Sequence, residues 1–185
     1  MAKDKLLEEV IVAGFGGQGV LSVGMLLAYA AMLEGKNVAW LPSYGPEMRG
    51  GTANCSVVLS DDPVGSPVVS EADTLIVMNG PSLDKFEASV KPGGIILVNS
   101  SLVEKKVSRK DVTVHYFPVN DAASDMGNLK VANMIILGAY VALKKFPNTE
   151  AVLKSFLKVF GENKKHLLPL NEEALAKGAA LAMAN

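Results

Sequence analysis

Apolar and polar positions alternate along this chain with two different periods. Val10-Ile11-Val12-Ala13 is an unbroken apolar run, the pattern of a strand buried on both faces. Four glycines follow within six positions, Gly14, Gly16, Gly17 and Gly19. Residues 20–33 are then apolar at helical spacing, interrupted by Ser22 and Gly24. The stretch predicts a strand, a glycine turn and a helix. Gly35 stands where a helix C-terminal glycine belongs, and 37–41 reads as a short second strand. Residues 53–60 alternate and are rich in Val and Ser, predicting a third. Asp61-Asp62-Pro63 turns the chain, and 63–67 is a connection whose prolines cannot donate to a ladder. Residues 73–78, 95–99 and 112–117 read as further strands. A short helix is expected from 81 or 82 to 90, then a turn at Lys91-Pro92-Gly93-Gly94. Residues 118–128 form a polar connection carrying Asp121 and Asp125. The segment 129–146 is the longest expected helix, apolar nearly all round, with Lys144 and Lys145 at the end that the dipole favours. Such a helix is central to its domain or buried against another chain. Thr149-Glu150 is expected to cap a helix running to 160, and 171–185 to form a last amphipathic, alanine-rich one.

Strands alternating with helices predict an α/β fold: three layers, a mostly parallel Rossmann-like sheet and helices on both faces. No repeat or linker divides residues 1–185, so one domain is expected. Half the chain is apolar (49%) and net charge is −1, which suits a full core and gives no general affinity for polyanions. The cluster Lys105, Lys106, Arg109 and Lys110 lacks interleaved aromatics, so it reads as a solvated face and no nucleic-acid partner is expected. The single cysteine, Cys55, can form no disulfide within the chain and cannot hold a four-cysteine iron–sulfur cluster. His115 and His166 are too scattered for a metal site, and His115 alternates as a half-exposed strand residue. A reducing, cytoplasmic compartment follows as the simple expectation. A charged start leading straight into a strand predicts no signal peptide. The longest apolar run, 131–143, is too short and too interrupted by Asn133 to span a bilayer, so no membrane partner is expected.

The glycine turn lets the backbone come close to a ligand, and the helix after it offers unpaired N–H groups to an anion. Gly14-x-Gly16-x-x-Gly19 also fits the dinucleotide fingerprint. That reading wants a carboxylate at the end of the second strand, where this chain has Leu41-Pro42-Ser43 and no acid before Glu47. The loop 42–52 follows, with Tyr44, Gly45, Pro46, Glu47, Met48, Arg49, Gly50 and Gly51. It is either a tight structural turn with an internal Glu47–Arg49 pair, or a binding surface beside the glycine turn, both loops leaving neighbouring strands at the C-terminal sheet edge. No catalytic constellation is present. Ser22 is not in a nucleophile elbow, Cys55 lies in a strand without a basic partner in sequence, and Val20-Leu21 replaces the Lys-Ser/Thr of a P-loop. Asn133 is either a satisfied core or cap-linked amide, or part of the site.

Together, Gly14-Phe15-Gly16-Gly17-Gln18-Gly19 and Tyr44-Gly45-Pro46-Glu47-Met48-Arg49-Gly50-Gly51 resemble the gamma subunit of 2-oxoacid:ferredoxin oxidoreductases. So do 79–86, 91–94, 98–101 and 128–138, so the resemblance spans residues 8–145. Leu83-Asp84-Lys85-Phe86 is closer to the 2-oxoglutarate and branched-chain types than to pyruvate ones. One departure is Gly80, where Gln is expected in many relatives. The resemblance implies a non-autonomous subunit for oxidative decarboxylation of a 2-oxoacid, 2-oxoglutarate above all, with coenzyme A, to acyl-CoA, carbon dioxide and reduced ferredoxin. Thiamine diphosphate and iron–sulfur clusters would belong to alpha, beta and delta partner subunits, ferredoxin would be met indirectly, and this chain would bind none of these cofactors alone. The binding residues it implies are Gly14, Gly16, Gly17, Gln18, Gly19, Tyr44, Gly45, Pro46, Glu47, Arg49, Gly50, Gly51 and Asn133, with coenzyme A as a possible contact; catalytic and metal-binding residues are expected to be absent. Two other readings stay open: a standalone nucleotide-binding oxidoreductase, and a purely structural assembly subunit.

Overall fold

The computed structural model describes residues 5–43 and 52–184. Six strands form one sheet: β1 (Leu7–Phe15), β2 (Asn37–Ser43), β3 (Thr52–Ser60), β4 (Ala72–Val77), β5 (Val90–Asn99) and β6 (Thr113–Phe117). Among the described residues six α-helices cover it: α1 (Val20–Leu33), α2 (Gly80–Phe86), α3 (Val119–Asp125), α4 (Ala132–Lys144), α5 (Thr149–Phe160) and α6 (Leu168–Ala184). The strand order is β2-β3-β1-β4-β5-β6. β1, β4, β5 and β6 run parallel, while β3 is antiparallel to both its neighbours.

The sheet buries both faces, as its apolar runs require. Val10, Val12, Ile76, Leu97 and Phe117 point into the larger core, with α1, α4, α5 and α6. Ile11, Ala13, Leu75, Val77, Ile96 and Val98 point the other way, onto Leu83 of α2 and Val103. Pro42 is tolerated because β2 is an edge strand.

Several expected boundaries shift for identifiable reasons. β3 is inserted between β1 and β2, so the loop after β2 does not leave a strand next to β1. Residues 91–94 lie inside β5, where the register with β4 slips between Ala72 and Thr74. The polar connection contains α3. The long apolar helix begins as a 3-10 turn, Leu129–Val131, started by Asn128, whose Oδ1 accepts the Lys130 N–H (3.0 Å). Asn148, not Thr149, caps α5, accepting the Ala151 N–H at 2.8 Å. Asn79 caps α2 by accepting the Ser82 N–H at 2.9 Å, and Gly80 is the first helical residue with open space where a Cβ would sit.

α4 is central: nine of its residues, among them Ile135, Gly138 and Tyr140, are buried. It meets α6 through two glycines. A Cβ on Gly138 would land on the Leu175 carbonyl, and one on Gly178 on the Ile135 carbonyl. Lys144 has a spatial reason for its place beyond the helix dipole. Its Nζ is 2.8 Å from Oε2 of buried Glu8, whose Oε1 accepts from the Thr74 hydroxyl (2.7 Å) and the Tyr140 hydroxyl (3.5 Å). This network ties β1, β4 and α4 together at the sheet end opposite the glycine turn.

The basic cluster is solvated structure. Lys105 pairs with Asp84, Lys106 lies over the Tyr116 ring, and Arg109 pairs with Asp111. Buried Glu87 anchors this segment by accepting from the Ser108 hydroxyl (2.6 Å) and from the N–H groups of Ser108 (2.7 Å) and Arg109 (3.0 Å). Burial alone pushes the Glu87 carboxyl up, but those hydrogen bonds outweigh it and hold it below its ordinary value. A depressed carboxylate stabilises the fold above its unfolded-state pKa, and that contribution is lost as pH falls through the folded-state value.

Gly178→Ala should cost about 1–3 kcal/mol in denaturant unfolding, because backbone must move and the helix-propensity gain of about 1 kcal/mol is smaller. Glu87→Gln should cost about 1.5–3 kcal/mol at neutral pH through lost charge-assisted hydrogen bonds. The same variant should lose less stability on acidification than the parent, read from unfolding curves at stepped pH.

Candidate functional site

The glycine turn is held shut by one side chain. Gln18 Oε1 accepts the Phe15 N–H at 2.6 Å, and its Nε2 donates to the Met78 carbonyl at 3.2 Å. The Met78 N–H in turn donates to the Ala13 carbonyl at 2.9 Å. Asn99, at the end of β5, donates to the same Met78 carbonyl (3.3 Å) and to Asn120 Oδ1 (2.8 Å). Gly14 must be glycine for space: a Cβ there would sit 2.7 Å from Gln18 Oε1 and 2.9 Å from the Met78 Cβ.

Gly19 is the N-cap of α1 at φ +74°, a left-handed conformation that favours glycine, and gives no side-chain cap. A Cβ on it would lie 2.5 Å from Asn133 Nδ2. Asn133 Oδ1 accepts the Met134 N–H at 2.9 Å. It lies in the first turn of α4, whose N-cap, Val131, makes no side-chain cap bond, and it packs against Gly19. The first hydrogen bond of α1 runs from the Val23 N–H to the Gly19 carbonyl (3.0 Å), so the N–H groups of residues 20–22 have no intrahelical acceptor.

Connections diverge at this point. From β1 the chain crosses one sheet face through α1 to β2, and from β4 it crosses the opposite face through α2 to β5. Open α/β sheets bind ligands at such a switch point. A crevice of about 240 Å³ lies here, lined by Gly17, Gln18, Met78, Asn120, Leu129, Lys130 and Ala132. A second cavity, about 300 Å³, includes Phe15, Gly16, Gly17, Gly19, Leu21 and Ser22. A third, about 390 Å³, joins Ser22, Lys130, Asn133 and Lys164 to an apolar floor that includes Phe156 and Phe160. No carboxylate lines any of the three among the described residues, and exposed Lys130 borders two. Unpaired helix N–H groups and a lysine with no carboxylate beside them among the described residues are features that favour an anion.

The structure thus gathers Gly14, Gly16, Gly17, Gln18, Gly19 and Asn133. Tyr44, Gly45, Pro46, Glu47, Arg49, Gly50 and Gly51 lie outside the described residues. The ends of that loop are placed, however: Ser43 is opposite Asn54 and Thr52 is opposite Phe15, so both ends reach the edge where the glycine turn leaves. Lys130, Asn120, Asn99 and Met78 were not singled out from sequence. Lys130 was hidden inside an expected long helix; the signals for it were the Asn128 before it, a helix-capping type, and its place in the 128–138 stretch of the resemblance.

The site has no nucleophile or base of its own among the described residues. Burial pushes the Cys55 thiol up to about 12, against smaller opposing effects of Trp40 and the Gly24 backbone, so it stays protonated in the core. Burial lowers the His115 pKa, but that ring stacks on Phe117 in β6. No group of three or more His, Cys, Asp or Glu among the described residues could hold a metal ion.

Residues 9–181 match the family model of pyruvate ferredoxin/flavodoxin oxidoreductase. The chain belongs to this family. It is 41% identical over 176 residues to the ketoisovalerate oxidoreductase subunit VorA of Methanothermobacter thermautotrophicus, covering 95% of this chain but 36% of VorA. The chain thus spans little more than a third of that oxidoreductase subunit. The solved keto/oxoacid ferredoxin oxidoreductase gamma subunit of Geobacter sulfurreducens superposes with a TM-score of 0.81 at 34% identity, over 96% of this chain and 99% of that one. The 2-oxoglutarate:ferredoxin oxidoreductase of Magnetococcus marinus, solved with 2-oxoglutarate, coenzyme A and succinyl-CoA bound, superposes with a TM-score of 0.87 at 26% identity, over 99% of this chain and 32% of that one. Within the oxidoreductase family the likeness is to gamma-type chains.

Gln18→Ala leaves the Phe15 N–H without its acceptor and frees the turn from β4. It should cost about 1–2 kcal/mol in denaturant unfolding, with faster amide exchange at residues 15–19. Unchanged exchange there would show that the turn is held by something else.

Proposed function

We propose that this chain is the gamma-type subunit of a multi-subunit 2-oxoacid:ferredoxin oxidoreductase. The assembly decarboxylates a 2-oxoacid oxidatively with coenzyme A, giving acyl-CoA, carbon dioxide and reduced ferredoxin. The observation that carries the reading is the crevice at the switch point of a chain in this family, bordered by Gly17, Gln18 and Lys130 and by no carboxylate among the described residues. Coenzyme A binding in the Magnetococcus relative supports it.

Thiamine diphosphate supplies the carbanion chemistry and iron–sulfur clusters take the electrons. An iron–sulfur cluster does not fit this chain: its one cysteine is buried in β3, and no group of three or more His, Cys, Asp or Glu among the described residues could hold a metal. Both are assigned to alpha, beta and delta partner chains. The gamma-type chain, a single domain in the cytoplasm on this reading, binds and orients. N–H groups of residues 20–22 and the Lys130 ammonium face a phosphate of coenzyme A. Gln18 keeps the turn closed while that charge binds, and Arg49 adds a second cationic contact held by Glu47. The loop from Tyr44 through Gly45, Pro46, Gly50 and Gly51 completes the surface.

The oxoacid is 2-oxoglutarate or a branched-chain 2-oxoacid, as Leu83-Asp84-Lys85-Phe86 suggests. That motif sits in α2, with Leu83 in the smaller core and Asp84 paired to Lys105, so it does not select the oxoacid itself. A dinucleotide is disfavoured by topology as well as by the missing acid. β3 separates the end of β2 from β1, putting it roughly 10 Å from the glycine turn at ordinary strand spacing.

Lys130→Ala and Arg49→Ala, assayed separately in the assembled complex, should each raise KM for coenzyme A by about tenfold, the equivalent of one charge-assisted contact. The kcat at saturating coenzyme A should stay near wild type. Unchanged KM in both variants would remove coenzyme A from this edge.

A further inference from the structure

α1 does what no other surface helix here does. None of its residues, 20–33, is charged, yet it is not enclosed. Tyr29, Met32 and Leu33 are 37%, 47% and 45% exposed. Leu21, Ser22 and Met25 are half-buried on the same flank, at the i, i+3, i+4 spacing of one stripe. The other helices turn charge outward: Asp84 and Lys85 in α2, Asp121 and Asp125 in α3, Glu150 and Lys154 in α5, Glu172, Glu173 and Lys177 in α6. A helix apolar all round belongs inside something. The opposite flank of α1 already has its partners, the sheet and α5.

We propose that the stripe Leu21–Met25–Tyr29–Met32–Leu33 is the seat of a partner chain in the assembly, resting on the functional reading above. The occupant is the counterpart of the extra chain carried by the fused relatives. VorA and the Magnetococcus subunit hold this fold within chains of which it forms 36% and 32%. The Geobacter gamma subunit is matched over 99% of its length and stands as a separate chain. A fold that is covalently joined in some relatives and free in others keeps a surface for the joined part. The chemistry of α1 defines the face it meets: apolar, uncharged, and adaptable enough to pack on two methionines around a tyrosine anchor. The stripe begins at Leu21 and Ser22, which line the cavity beside Gly16 and Gly17, so the seated partner adjoins the glycine turn.

The test uses the complex rebuilt from purified native chains, with the double variant Tyr29→Lys/Met32→Lys. Both positions are exposed, so the isolated variant should unfold at the wild-type temperature. Its incorporation, read by native mass spectrometry, should fall about tenfold or more, while Val68→Lys, at another exposed apolar position, should incorporate normally. Tyr29→Ala/Met32→Ala, which adds no charge, should show a smaller loss in the same direction. Which chains co-assemble with wild type tests the functional reading; whether the α1 variants leave that assembly tests the surface. Normal incorporation of the lysine variant would overturn the proposal. So would a wild-type chain that assembles with nothing, or one that pairs with a second copy of itself through this stripe.

Discussion

The Met78 carbonyl accepts two side-chain amides, from Gln18 and from Asn99, and the site depends on that shared acceptor. It lies at the end of β4, one step past the last residue paired with β1. Through Gln18 it closes the glycine turn onto the central strands. Through Asn99 and Asn120 it links the turn to β5 and α3. Gly14 leaves the space that Gln18 needs, and Gly19 leaves the space that Asn133 needs. Fingerprint glycines that suggest a ligand pressed against backbone are thus partly explained by side chains of the protein itself. The free face of the turn is Gly17, with nothing within 4 Å of its Cβ direction.

Among the described residues that arrangement holds a turn and offers no reactive group of its own. The amides are committed to holding the turn, the one thiol is buried and protonated, and the buried carboxylates Glu8 and Glu87 serve structural networks, one at the other end of the sheet and one beneath Ser108 and Arg109. Among the described residues this edge shows no acid–base pair, which fits the proposal that the reaction belongs to an assembly. The uncharged flank of α1 points the same way from an independent observation. Elsewhere in the larger core α4 and α6 meet at close range through Gly138 and Gly178.

Much of this was legible in the residues. The strand–turn–helix at 10–33, the buried strands of the parallel half and the strand position of Cys55 follow from local period and composition. The insertion of β3 between β1 and β2 was not legible, because strand order is set by long-range pairing that alternation does not encode. Residues 91–94 look like a turn yet lie within β5, where the register with β4 jumps from Ala72–Val90 to Thr74–Ile95, so the Pro-Gly-Gly signal marks an irregularity inside the strand and not a break between elements. Of the two apolar helices, α4 and α1, sequence raised a partner chain only for α4. The structure reverses the emphasis: α4 is enclosed by its own chain, and α1 is left with an uncharged open flank. Lys130 was hidden because a charged residue at a helix start reads as solvated until the crevice beside it is seen.

The measurement that tests the central claim most directly is coenzyme A-dependent reduction of ferredoxin by a 2-oxoacid, with this chain alone and after adding back the thiamine diphosphate-containing chains purified without it. The account predicts no turnover by the isolated chain, and turnover that rises with its addition until one copy per catalytic unit is filled. Turnover by the chain alone, or full turnover by the other chains in its absence, would contradict it.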